Sequence, residues 1–278
     1  MHIGLSYGIY RDSVRKASDP NWTIESSDMR IIQVSDIHIA REGIDTFGVD
    51  VRANFVHLLE HIRTLEFDLL AITGDYCFRE PRTEIYAWVA EQLKSIRQPI
   101  YHIGGNHDHM SYLHEAFQLT LPMHDHELYY RIEYQGKELL FLDSAVGKMS
   151  EGQFKWLEDH LNTATGPIIL FTHYPPYPMG VPHMDEKYAF QQSGQFDALV
   201  QSCAYPVYVF CGHYHGERTV HRGNVHVHIV PSCFFQIDPR TVEFHLEHYR
   251  IGFRTIDVLP DQIRTWVNYL PGNKLSLV

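Results

Sequence analysis

Cysteine is scarce in this 278-residue chain: Cys77, Cys203, Cys211 and Cys233 lie scattered and form no Cys-x-x-Cys pair. That pattern argues against a disulfide framework, and the four read as small apolar residues in a reducing compartment. Long apolar runs are missing too, since no stretch approaches the roughly 20 residues that a membrane-crossing helix requires. The opening residues, MHIGLSYGIYRDSVRK, lack a basic segment followed by an apolar run, so a cytoplasmic location is expected. Basic residues are in the minority, 23 against 34 acidic ones, for a formal net charge of −11. This balance works against sequence-independent binding of nucleic acid or of an anionic membrane, and neither is expected as a partner. A small anionic substrate would therefore need a local cationic centre. Internal repeats, low-complexity runs and linkers are also absent, so one domain over residues 1–278 is expected.

What the chain does have is an ordinary apolar fraction of 44% and an unusual load of twenty histidines. The first is enough for a large core. The second leans towards metal chemistry, because imidazole is the commonest metal ligand. Residues 1–28 carry no strong period and are expected to form an arm or a hairpin. From Arg30 onward, short runs that are apolar on both faces alternate with amphipathic stretches. IIQV (31–34), DLLAI (68–72), PIYHI (99–103), PIILF (167–171) and PVYVF (206–210) read as strands. Val51, Phe55, Leu58, Ile62 and Leu65 recur at spacings of 4, 3, 4 and 3, which predicts a helix with one apolar stripe. A second helix is expected from about Glu151, where Ser150 and Gln153 fit a capping box. The runs LYYRIEY and ELLFL flank Gln135-Gly136-Lys137, a hairpin signature, and the Pro-rich stretch 174–182 reads as a loop. Residues 218–278 read as mostly strands completing the structure. So much strand predicts an α/β fold with two packed sheets and helices outside.

Five of the strand-like runs end in metal-ligand or small residues: SDIH, TGDY, GGNHD, THYPP and CGHYH. In open α/β sheets ligands bind beyond the carboxyl ends of the strands, so these loops can converge although they span residues 36–215. Asp36 and His38 stand at i and i+2, which on an extended segment puts both on one side; His213 and His215 repeat the device. Carboxylate oxygen with imidazole nitrogen suits first-row metals such as iron or manganese, with zinc or cobalt as further options.

Taken in order, D-x-H (Asp36, His38), G-D (Gly74, Asp75), G-N-H-D (Gly105, Asn106, His107, Asp108), a single His before a Pro pair (His173) and G-H-x-H (Gly212, His213, His215) resemble the calcineurin-like metallophosphoesterases. The resemblance implies a four-layer α/β/β/α sandwich of two mixed sheets, holding two metals. It implies that Asp36, His38, Asp75 and His215 hold the first metal, and Asp75, Asn106, His173 and His213 the second. Pro175-Pro176, Met184-Asp185, Val230-Pro231-Ser232-Cys233, Gln236 and Gly252-Phe253-Arg254 resemble, more narrowly, the class III cyclic nucleotide phosphodiesterases. A small phosphoester is then the expected substrate, either a cyclic nucleotide or another small diester. A homodimer is left open.

Two such metals would make a bridging hydroxide from water near neutral pH, for in-line attack on the ester. His107 is expected to protonate the leaving oxygen as general acid, with Asp108 orienting its ring, and Asn106 to hydrogen-bond a phosphate oxygen. Gly74-Asp75-Tyr76-Cys77-Phe78-Arg79 also resembles the G-D-Y-x-x-R of serine/threonine protein phosphatases. In that alternative Arg79 grips phosphate and the enzyme is a phosphomonoesterase; as a plain structural residue, Arg79 would start a helix. A non-catalytic metal-binding scaffold is the rival from another class. His102 reads as a core residue, and His57 and His61, at i and i+4 without a third ligand, as a solvated helix face.

Overall fold

A short run that is apolar on both faces is stable only where both faces are covered, and that is where the chain places its runs. In a computed structural model, which describes residues 28–275, the five expected strands form as β1 (Met29–Val34), β2 (Leu69–Thr73), β3 (Ile100–Ile103), β6 (Ile168–Phe171) and β7 (Val207–Cys211). The arm or hairpin expected over 1–28 lies outside the described residues, apart from Asp28. The expected hairpin supplies β4 (Tyr130–Tyr134) and β5 (Lys137–Phe141). Its turn has only two residues, Gln135 and Gly136, at φ 50° and 71°, and Lys137 pairs with Tyr134 as part of the strand. Two positive φ values give the turn a twist that matches paired strands.

The C-terminal stretch contributes β8 (Arg218–Arg222), β9 (Val225–Ile229), β10 (Gln236–Ile237), β11 (Leu246–His248), β12 (Ile251–Val258) and β13 (Ile263–Leu270). These strands divide between two mixed sheets. One runs β13-β12-β1-β2-β3, the other β4-β5-β6-β7-β9-β8, and β10 pairs with β11 alone. Within each sheet the site-bearing strands are parallel neighbours: β1 with β2, β2 with β3, and β6 with β7.

The sheets pack face to face. Gln33 on β1 donates to the Cys211 carbonyl on β7 at 3.4 Å. Arg254 on β12 donates to the Ile229 carbonyl on β9 at 2.9 Å. Tyr130 on β4 donates to the His102 carbonyl at 2.8 Å and accepts from the His102 N–H at 3.0 Å. Between these polar ties lies the apolar core, where the rings of Phe141, Phe171 and Phe210 follow one another at 4.9 and 5.6 Å. Each fully buried ring contributes roughly 1.5–3 kcal/mol of transfer free energy.

The helices α1 (Val51–Ile62), α2 (Thr83–Leu93), α3 (Met110–Ala116), α4 (Glu151–Thr163), α5 (Pro182–Lys187) and α6 (Ser193–Val200) lie outside, giving the four-layer α/β/β/α sandwich. Helix α1 buries Val51, Phe55, Leu58 and Ile62 as its periodicity predicts, but it ends before Leu65. The capping box of α4 is only half made. Ser150 Oγ accepts from the Gln153 N–H at 3.2 Å, whereas the Gln153 side chain turns inward to Asp143, accepting from its N–H and donating to its carbonyl at 2.7 and 2.8 Å. The buried Asp143 backbone needs these partners, whereas the Ser150 N–H finds another in Glu127 Oε1 at 3.1 Å. No helix among the described residues is long and apolar enough to cross a membrane.

Candidate metal centre

Beyond the ends of β1 and β2 the two loops keep running side by side. Asp36 N–H donates to the Gly74 carbonyl (3.0 Å), His38 N–H to Asp75 (2.9 Å) and Ile39 N–H to Tyr76 (2.9 Å). The loops are not extended, as the i, i+2 reading supposed. Asp36, His38, Asp75, His213 and His215 all have left-handed backbones, with φ of 55°, 50°, 55°, 68° and 45°. Each such residue costs roughly 1–2 kcal/mol, and strain of this kind gathers at functional sites where the surroundings over-determine the conformation. Glycine lets the loops close. A Cβ on Gly105 would lie 2.3 Å from Asp75 Oδ1, and one on Gly74, at φ 103°, would lie 2.5 Å from His173 Nδ1.

The result is a buried cluster of donor atoms. Asp36, His38 and His215 offer ligand atoms within 4.8 Å of one another, as do Asp75, His173 and His213, and also His38, Asp75 and His107. Asp75 Oδ2 lies 3.4 Å from His173 Nε2 and 3.5 Å from His38 Nε2. Asn106 Oδ1 is 3.3 Å from His173 Nε2. Each expected ligand is therefore brought to one place.

Three rings are aimed by backbone carbonyls, which can only accept. His173 Nδ1–H donates to Thr73 (2.7 Å), His213 Nε2–H to Tyr188 (3.0 Å) and His215 Nδ1–H to Phe235 (3.2 Å). In the neutral form of each ring the opposite nitrogen then carries its lone pair towards the cluster, an arrangement typical of metal-binding histidines. His38 Nε2 and His215 Nε2 lie 2.9 Å apart, a hydrogen bond in which His215, its Nδ1–H engaged, accepts from His38; a cation would take the place of that proton. This donor set fits a metal centre.

Electrostatics agree with that fit. Burial holds His38 and His213 well below their ordinary values and His215 down to about 4, so all three are neutral, as a ligand must be. Burial raises Asp36 to about 7. For Asp75 burial pulls upward, but His173, His38 and His107 outweigh it and keep the carboxyl well below the usual range. His173, opposed by burial but facing Asp75 and Asp36, rises to about 9. In the absence of cations, a proton on His173 carries the positive charge that the carboxylates demand.

His107 is half-buried at the edge of the cluster. Its N–H donates to Asp75 Oδ1 at 2.9 Å, and its ring meets that of His38 edge-on at 5.2 Å. The orienting contact expected from Asp108 is not formed: His107 Nδ1–H donates instead to the Arg79 carbonyl at 2.8 Å. Asp108 faces away, because four other donors claim it. These are the N–H groups of Gly105 (2.9 Å), Tyr76 (3.1 Å) and Cys77 (3.3 Å) and the Tyr86 hydroxyl (3.0 Å). Burial, then the charge of Asp75, raises its carboxyl to about 6. Asp108 is thus a loop brace. In Asp108→Ala, orphaned donors at roughly 1–3 kcal/mol each should lower Tm by about 5–15 °C, read by calorimetry. A shift below about 2 °C would remove the bracing role.

Arg79 is not a helix start. Helix α2 begins at Thr83, and the exposed Arg79 guanidinium lies over the Phe78 ring at 4.8 Å. Its carbonyl accepts from the His107 ring.

The calcineurin-like phosphoesterase family model matches residues 29–217, which contain the whole cluster. The chain belongs to this family. As a calcineurin-like phosphoesterase it is a metal-dependent hydrolase of phosphoric esters, and the family uses a dinuclear metal centre. It is 32% identical over 234 residues to a Fibrobacter succinogenes protein described as a probable cyclic nucleotide phosphodiesterase, covering 84% of this chain and 91% of that one. It is 29% identical over 242 residues to the 3',5'-cyclic adenosine monophosphate phosphodiesterase CpdA of Escherichia coli K12, covering 84% and 86%. A dimetal phosphatase from Danio rerio shares the fold at a TM-score of 0.65 and 12% identity, over 89% of this chain and 96% of that one.

The phosphoesterase also uses residues whose role the linear sequence conceals. Ser232 Oγ donates to the Asp36 carbonyl at 3.0 Å, and Cys233 N–H to the Ser35 carbonyl at 3.1 Å. Gln236 in turn accepts from the Ser232 N–H (3.1 Å) and donates to the carbonyls of Ser232 (2.9 Å) and Arg250 (2.8 Å). The Val230-Pro231-Ser232-Cys233 motif signalled family likeness; its task, clamping the β1 loop from the opposite sheet, needed the fold. The carbonyls of Thr73, Tyr188 and Phe235 left no signal, since any residue supplies one.

Proposed function

We propose that this enzyme is a phosphodiesterase that cleaves a cyclic nucleotide or another small diester at a two-metal centre. In this reading Asp36, His38, Asp75 and His215 hold one cation, and Asp75, Asn106, His173 and His213 the other. The observation that carries it is the place of Asp75, which belongs to two of the donor groups while its Oδ1 accepts the His107 N–H. Bound cations would activate water and neutralise charge on the phosphoryl oxygens; iron or manganese suits the donors, as do zinc and cobalt.

The chain's own groups supply the remainder. Asp36 and Asp75 are the only anionic side chains among the proposed ligands, so two divalent ions leave the pocket cationic, as an anionic substrate requires of a chain with net charge −11. Asn106, exposed beside the cluster, can donate its amide to a non-bridging oxygen. With Nδ1–H fixed on the Arg79 carbonyl, protonated His107 keeps Nε2–H for the leaving oxygen. The names of the two sequence relatives support a cyclic nucleotide substrate. Four buried free cysteines support a reducing, cytoplasmic setting. The monoesterase alternative would need the exposed Arg79 guanidinium, which lies over the Phe78 ring, to turn towards the cluster.

The test is hydrolysis of bis-p-nitrophenyl phosphate, p-nitrophenyl phosphate and cyclic AMP by protein whose metal content has been measured. The diesters should exceed the monoester by at least about 10-fold in kcat/KM, a difference near 1.4 kcal/mol. Preference for the monoester would reverse the assignment.

A further inference from the structure

Two phenylalanine rings stand half in solvent at the rim of the centre, Phe47 at 44% and Phe244 at 40% exposure. They lie 5.8 Å apart, centroid to centroid. Both lean on Phe235, at 5.4 and 6.0 Å, which in turn packs 5.2 Å from the His215 ring. Phe47 also meets Phe234 at 6.2 Å, and Phe234 lies 5.3 Å from the His38 ring. An aromatic surface therefore extends outward from two of the proposed ligands, one ring at a time, and ends in two exposed faces.

The backbone at Phe47 is the second observation. Thr46–Val49 forms a turn closed by the Val49 N–H on the Thr46 carbonyl at 3.0 Å, with Phe47 at φ 56° and Gly48 at φ 71°. Paired positive φ values define a type I′ turn, whose first central position ordinarily takes Asn, Asp or Gly. A bulky aromatic there is an outlier. The turn is held regardless, by Asp45 Oδ1 on the Gly48 N–H (3.3 Å) and by the Leu275 N–H on the Gly48 carbonyl (2.9 Å). Phe47 thus carries a strained backbone yet leaves much of its ring in water. Folding stability alone favours asparagine at this position, whereas a flat ligand surface requires the ring.

We propose that Phe47 and Phe244 form a stacking face for the base of a cyclic nucleotide whose phosphate lies at the Asp75 centre, an inference that rests on the function proposed above. Every nucleobase offers a π-face, and an aromatic ring can hold it without hydrogen bonds to its edge. The phosphate end would be fixed by charge, the base end by these rings.

Manganese-loaded enzyme can be assayed with cyclic AMP and with the methyl riboside 3',5'-cyclic phosphate, which presents the same diester without a base. The wild-type enzyme should prefer cyclic AMP by about 10- to 100-fold in kcat/KM, the worth of one stacked base, with the difference in KM. Phe47→Asn suits the left-handed turn, so its Tm should hold or rise while most of the preference disappears; Phe47→Trp should keep it. Equal kcat/KM for both cyclic phosphates in the wild type, or undiminished preference in Phe47→Asn combined with Phe244→Ala, would overturn the stacking face and leave the phosphodiesterase intact. Turnover of bis-p-nitrophenyl phosphate with neither cyclic phosphate cleaved would overturn the stacking face and the cyclic nucleotide substrate together, leaving a phosphodiesterase of another small diester; cleavage of none of the three diesters would overturn the proposed function itself.

Discussion

Replacing Asp75 with Asn should lower phosphodiester turnover by at least about 1,000-fold, roughly 4 kcal/mol of transition-state stabilisation, and reduce bound metal below two ions per chain. The amide still presents an oxygen to the His107 N–H, which Asp75 Oδ1 accepts at 2.9 Å, so the loop keeps its shape. What disappears is the charge. Among the described residues Asp75 is the one carboxylate beside both His38 and His173, with Oδ2 at 3.5 and 3.4 Å. Without it Asp36 alone faces both cations. Metal analysis of the purified variant, paired with the diester assay, checks this. Two tightly held ions in Asp75→Asn would show that Asp75 is not the shared ligand.

His107→Ala should act on the chemical step instead. Loss of a general acid lowers kcat by about 100-fold or more, while the metal content stays at the wild-type level and the limb of the pH profile that reports the acid vanishes. The geometry also contains the competing outcome, because His107 falls within ligand reach of His38 and Asp75. If His107→Ala loses metal in proportion to activity, the residue is a ligand and the proton comes from elsewhere. A further discrimination uses the leaving group: bis-p-nitrophenyl phosphate expels a weakly basic phenolate that needs little protonation. The variant should therefore lose far less activity on it than on cyclic AMP, whose leaving alkoxide is strongly basic.

Much of the scaffold was legible because strand and helix periods are local. The apolar runs at 31–34, 68–72, 99–103, 167–171 and 206–210 became strands, and the stripe from Val51 became α1, which ends at Ile62 rather than Leu65: the Thr64 hydroxyl and N–H both turn to the His61 carbonyl, and Leu65 still packs on the core. Gln153 shows the opposite case. Its spacing from Ser150 satisfies a capping rule, yet a buried backbone at Asp143 took its side chain. Asp108 departs for the same reason: adjacency suggested a partner in His107, and the donors of Gly105, Tyr76, Cys77 and Tyr86 outbid it.

By itself the sequence determined which chemistry is available. Aspartate, asparagine and histidine at the ends of five strands state their ligand atoms through residue identity, and no later event changes that. Only the tertiary structure decided how those atoms are aimed. The left-handed backbones of Asp36, His38, Asp75, His213 and His215, the carbonyls of Thr73, Tyr188 and Phe235 behind the rings, and the exposed face of Phe47 all depend on partners far along the chain. A side chain's donors are fixed by its covalent structure, but its direction follows from whichever distant groups satisfy the remaining hydrogen bonds, and those meet only when the two sheets close.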